Sequence, residues 1–147
     1  MFLRSEFTDI QQSVYDALEI LLKPLKIRRI GTVKATLYGE DKYKTYAPDI
    51  NIVGVVKENP DGKLLTKYGL EDAMDIAVTI PKYYLDSNSI KVYDTDTLIY
   101  NDSTYVIKKI ATDGDFPIAD DKTGALAGTD ILSLVVFARS ECPETHL

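Results

Sequence analysis

Acid–base or metal chemistry in this chain would have to come from aspartates, because nothing else with the right chemistry occurs in numbers. Asp94 and Asp96 stand two residues apart, so an extended chain places both on one side. Asp113, Asp115, Asp120 and Asp121 crowd one stretch, DGDFPIADD. Paired carboxylates serve general acid–base work, and clustered carboxylate oxygens suit calcium. The fixed ligand spacing and closing Glu of an EF-hand loop are missing. The competing reading is that Asp bonds its own backbone in turns and keeps the surface solvated. The single histidine, His146, is the second-last residue, and Cys142 is the single cysteine. Those counts rule out a His/Cys metal site and an internal disulfide. No GxGxxG, Walker loop or GxSxG occurs, so neither a metal nor a cofactor is expected.

Ten tyrosines form a second group with functional potential. Tyrosine joins a large apolar area to a polar tip, which suits strand surfaces and protein–protein contacts. Tyr83 and Tyr84 are the interface candidates among them. Phe116, Pro117 and Ile118 make an apolar triplet inside the acidic stretch and are expected to plug into a neighbouring surface.

The elements that position these residues are mostly strands. Ala73–Ile80 alternates before Pro81, which lacks the N–H to continue a ladder. Thr97–Tyr100 and Thr104–Ile110 read as a hairpin around Asn101, Asp102 and Ser103. In its second arm Tyr105, Ile107 and Lys109 share one face, and Val106, Lys108 and Ile110 the other. Ile27–Tyr38 and Tyr46–Lys57 are further strand regions, and Asn59-Pro60-Asp61-Gly62 is a turn. Leu64–Leu70 fits either strand or loop. Ile131–Ala138 (ILSLVVFA) is apolar on both parities, as a strand central to the sheet would be. One long helix is expected over residues 8–25, with Thr8 and Gln11 as its capping box and Pro24 as its stop.

These elements predict a mainly β domain spanning 1–147. It is a small β-barrel or sandwich (27–138) with one N-terminal helix, a long loop (113–130) before the last strand, and a flexible tail (139–147). Ile76, Val78, Val106, Val135 and Phe137 are its expected core. No apolar run reaches the roughly 18 residues of a membrane helix, so no membrane partner is expected. The opening MFLRSEFTD lacks a signal peptide's apolar stretch, which points to assembly in a cytoplasm.

Charge is uneven along the chain. Through Leu70 there are eleven Lys/Arg against nine Asp/Glu, and beyond it six against fourteen. A protein that grips nucleic acid needs the opposite field to release counterions.

The run DTDTLIYNDSTYVIKKI, followed by a loop and ILSLVVFAR, resembles small neck proteins of tailed bacteriophages. These are the head-closure or head-to-tail connector components between portal and tail. The likeness covers roughly residues 70–138, with Asn101-Asp102-Ser103 where the family's turn usually carries glycine. It implies a non-enzymatic subunit of a homo-oligomeric ring in the virion, assembled in the host cytoplasm beside portal and tail proteins. DNA would pass through such a ring without being tightly held. On that reading Asp94, Asp96, Asp102, Asp113 and Asp115 are channel-facing candidates, where like charge keeps DNA from sticking. Two other readings stay open: a metal-dependent enzyme or ligand-binding β-barrel using the loop aspartates, and a tail or baseplate component.

Overall fold

The hairpin that anchors the sequence reading is tighter than expected. In the computed structural model, which describes residues 1–35, 41–46 and 48–140, strands β7 (Thr97–Tyr100) and β8 (Ser103–Asp113) pair from Tyr100↔Ser103 onward. Only Asn101 and Asp102 form the turn, at φ 50° and 65°. Two successive left-handed residues make a type I′ turn, whose twist matches the strands; Asn and Asp tolerate that conformation.

Ahead of the hairpin lie β1 (Phe2–Leu3), helix α1 (Arg4–Leu18), a 3₁₀ turn (Glu19–Leu21), β2 (Lys23–Arg28), β3 (Ile30–Ala35), β4 (Asp41–Tyr46), β5 (Ile50–Glu58), α2 (Gly62–Lys67), β6 (Ile76–Pro81) and α3 (Lys82–Ser87). After it come β9 (Phe116–Ala119), β10 (Leu126–Asp130) and β11 (Ser133–Ser140). Six strands hydrogen-bond in the closed order β11-β6-β5-β2-β7-β8, all antiparallel. The ring is uneven, since the β2–β7 seam holds only over Lys26–Arg28.

The bore is filled by one parity of each strand: Leu25 and Ile27, Ile52, Ile76, Val78 and Ile80, Leu98, Ile107, and Val136 and Ala138. Gly54 continues the inward row of β5 because nothing larger fits. A Cβ there would stand 2.6 Å from Val78 Cγ1 and 3.1 Å from the Thr79 carbonyl oxygen. The outer face of β11 is covered as well. Val135 and Phe137 pack with Leu65, Met74 and Ala77 beneath α2, and Tyr68 stacks on Phe137 at 5.3 Å. Burial on both sides accounts for the unbroken apolar run of that strand.

Several expectations are corrected. Val106 is half-buried and Ile107 takes the core position. The register of β8 against β11 slips between Phe137↔Lys109 and Ala138↔Ile107, a bulge that leaves Lys108 unpaired. A bulge inverts the inward parity, so Tyr105, Ile107 and then Ile110 face the core. The long helix starts earlier and stops earlier than residues 8–25. The Glu6 carboxylate accepts the Leu3 N–H at 2.9 Å, half of a capping box placed ahead of Thr8. At the other end Pro24 forces Lys23 to extend, and Leu25 and Ile27 turn into the barrel.

Two short helices join α1 in place of a single one. Asp61 caps α2 by accepting the Leu64 N–H at 2.9 Å, so the Asn59–Gly62 turn is a helix start. The region read as one strand, 27–38, breaks at Arg29 between β2 and β3; the expected facing from Val33 onward lies outside the described side chains. Residues 73–75 precede β6 instead of opening it. The stretch 113–130 is not a long loop, because β9 and β10 pair antiparallel and β1 adds in parallel to β9. Small residues in ALAGTD hid that strand from periodicity. Arg139 and Ser140 belong to β11, and the rest of the expected tail lies outside the described residues.

Candidate functional site

The two aspartate groups separate in space and in use. Asp96 is not on a channel wall. Its side chain is 1% exposed, accepts Arg29 Nε and Nη2 at 2.9 Å each, and accepts the Tyr93 N–H at 2.9 Å. Arg29 also donates to the Lys91 carbonyl at 2.6 Å and lies 4.7 Å from the Tyr93 ring centre. The bond to Asp96 raises the guanidinium pKa, burial opposes this, and the carboxylate charge reinforces it. A forked guanidinium on a buried carboxylate is a structural clamp. No sequence spacing links Arg29 to Asp96, so the pairing was not legible beforehand.

Asp94, Asp102, Asp113 and Asp115 are exposed, as the channel-facing reading requires. They do not form one cluster. Asp102 sits in the β7–β8 turn and Asp113 at the far end of β8, eleven residues along; at about 3.4 Å per residue that is over 30 Å. Asp115 accepts the Thr112 hydroxyl at 3.2 Å.

The remaining acidic residues serve turns and ties. Asp120 accepts the N–H groups of Lys122 (2.7 Å) and Thr123 (3.1 Å), which together hold its carboxyl below the ordinary range. Asp121 accepts the Ser5 N–H and hydroxyl at 3.0 and 3.1 Å. Asp130, unremarked in the sequence, joins three elements: it accepts Arg4 Nη1 at 2.6 Å and Gln11 Nε2 at 3.2 Å, and Lys82 Nζ lies 3.4 Å away. Burial pushes its pKa up, but hydrogen bonds from Arg4 and the Ile131 N–H, with the charges of Lys82 and Arg4, outweigh that and lower it. Among the described residues no three His, Cys, Asp or Glu side chains converge on a point that could hold a cation.

The interface candidates make contacts within the chain, although Tyr83, Tyr84 and Phe116 stay partly exposed. Tyr83 and Tyr84 on α3 stack against Tyr15 of α1 at 5.6 and 6.3 Å. Tyr84 donates to the Asn51 carbonyl at 3.3 Å, and burial raises its pKa. Phe116 closes an aromatic triangle with Phe2 and Phe7, centroids 5.6–5.8 Å apart. Ile118 is fully buried, and Pro117 alone of the triplet is exposed. The triplet therefore seats the chain's own N-terminal helix.

What lies open is the outer wall of β5, β2 and β7. A groove of about 440 Å³ runs there, lined by Pro24, Lys26, Asn51, Val53, Ile99 and Asp102 among others. Tyr84 of α3 also lines it, and Ile20, just ahead of β2, is 91% exposed. No described helix is long and apolar enough to cross a membrane. No family model matches the chain, and no curated protein matches it either.

Proposed function

We propose that this chain is a non-enzymatic virion subunit of the head-to-tail connector ring of a tailed phage, which closes or extends the DNA channel between portal and tail. One observation carries the reading. The interior of the barrel is packed with aliphatic side chains, and Asp96, Asp120 and Asp121 are engaged in an ion pair, a turn and a helix tie, while strand edges and a wall stay open. A ligand-binding barrel keeps a cavity in its mouth; a building block keeps a solid core and offers its periphery. The resemblance over residues 70–138 supplies the phage neck as the setting.

The DNA channel on this reading lies between subunits of the ring, since the subunit's own bore is filled. Asp94, Asp102, Asp113 and Asp115 remain available to such a lumen, with water and ions screening their repulsion from phosphate over roughly 8–10 Å. Light scattering coupled to size exclusion, on the chain alone and with neighbouring portal and tail proteins, tests the reading. A ring or a stoichiometric complex is expected. A strict monomer that binds calcium or magnesium tightly would overturn it in favour of the metal-dependent alternative.

A further inference from the structure

Strands β3 and β4 pair antiparallel with each other and, among the described residues, belong to no other sheet. They form an arm inserted between β2 and β5, two barrel strands that are themselves paired. The root of the arm is fixed on both sides. Arg28 Nε meets Asp49 Oδ1 at 3.2 Å across the two chain crossings, and Arg29 holds Asp96 of the barrel. The arm is thus anchored at its base, and among the described residues its two strands pair only with each other. An isolated two-stranded ribbon is marginally stable in water and needs a third strand or a packed face.

An edge able to supply that strand exists on the same molecule. In the sheet β1-β9-β10, β10 is terminal. Residues 126–129 are exposed on both faces, Leu126 at 63%. Natural proteins usually blunt such an edge with Pro, Lys or a covering segment. Leu126-Ala-Gly-Thr129 carries no Pro or Lys, and a register shift between Leu126 and Thr129 is the one irregularity on this edge.

Charge matches donor to acceptor. Residues 30–46 carry Lys34, Lys42 and Lys44 against Glu40 and Asp41. The segment around the open edge carries Asp113, Asp115, Asp120 and Asp121 against Lys122.

We propose that the β3–β4 arm of one copy adds as a strand to the β10 edge of a second copy. Donor and acceptor are different surfaces, so the contact is head-to-tail and propagates into a ring where the rotation closes. The proposal rests on the connector reading and names the subunit contact within it.

The test uses the full-length chain in four forms: wild type, Lys42→Glu with Lys44→Glu, Asp113→Lys with Asp115→Lys, and a chain whose residues 31–45 are replaced by a short Gly-Ser link. Sedimentation at low and physiological salt measures association, and circular dichroism checks the fold. Each charge-reversed variant alone should associate at least tenfold more weakly than wild type, and an equimolar mixture of the two should recover most of the loss. The arm-less chain should stay folded and monomeric. In a Cys142→Ser background, Tyr43→Cys and Thr129→Cys chains should be joined by a short bismaleimide only when mixed. An arm-less chain that still assembles like wild type overturns this contact and leaves the ring standing. A wild-type chain that is monomeric at every concentration and with every neck neighbour overturns both.

Discussion

Removing the cation from the buried Arg29–Asp96 pair should destabilise the fold more than removing the anion. Asp96 is 1% exposed at its side chain, whereas Arg29 is 31% exposed. In Arg29→Met the aliphatic stem still covers Tyr93, but the carboxylate keeps only the Tyr93 N–H as partner. Breaking a buried pair this way costs about 3–5 kcal/mol, because the remaining charge is left uncompensated. In Asp96→Asn the guanidinium can turn to water, and the amide oxygen still accepts one N–H. The loss is then about 1–3 kcal/mol, the range for a missing hydrogen-bond partner. A domain of this size has about 5–15 kcal/mol in total, so the first variant should move a urea midpoint far more than the second at unchanged slope. Equal midpoints, or Asp96→Asn as the weaker of the two, would refute the assignment of the desolvation cost to Asp96.

Gly54→Ala drives a methyl against Val78 and the Thr79 carbonyl, and the backbone there cannot yield; overpacking of about 1–3 kcal/mol should appear in thermal unfolding. Phe116→Ala opens the aromatic triangle beneath α1 and should cost about 2–4 kcal/mol, with proteolysis near the N-terminus as a second readout. Asp130 contributes stability above the ordinary carboxyl pKa of 3.8 and loses it as pH falls through its lower folded value. Asp130→Asn should therefore flatten the acid limb of a stability–pH curve and leave the neutral-to-basic limb parallel to wild type. Lysine at Asp94 and Asp102, which lie outside the proposed subunit contact, should slow DNA ejection from assembled particles, most at low salt; unchanged ejection there would place these residues away from the lumen.

Much of the fold was legible because strand periodicity and turn chemistry act locally. Ile131–Ala138 announced a central strand, which β11 is, between β6 and β8, and Asn101-Asp102-Ser103 announced a tight hairpin. Three features were hidden, each for a physical reason. The bulge at Lys108 depends on how β8 meets β11, and no residue of β8 encodes the slip by itself. The strand β10 has almost no apolar residues to alternate, since it is an edge exposed on both faces. Asp96 reads as a solvated turn aspartate until Arg29, far away in sequence, folds onto it. The same limit governs the candidate site. Tyr83, Tyr84, Phe116 and Ile118 were picked out by type and turn out to join α1 to the rest of the chain. The open groove brings Tyr84 and Asp102, both picked out by type, together with residues such as Pro24, Val53 and Ile99, which share a wall only once β2, β5 and β7 have paired.

The central claim is position in a particle, and labelling measures it directly. On the connector proposal, gold-conjugated antibody against this chain, applied to the purified tailed virions it is proposed to build, should mark the junction of head and tail at constant stoichiometry per particle. Label confined to the baseplate, or virions that lack the chain entirely, would contradict the account.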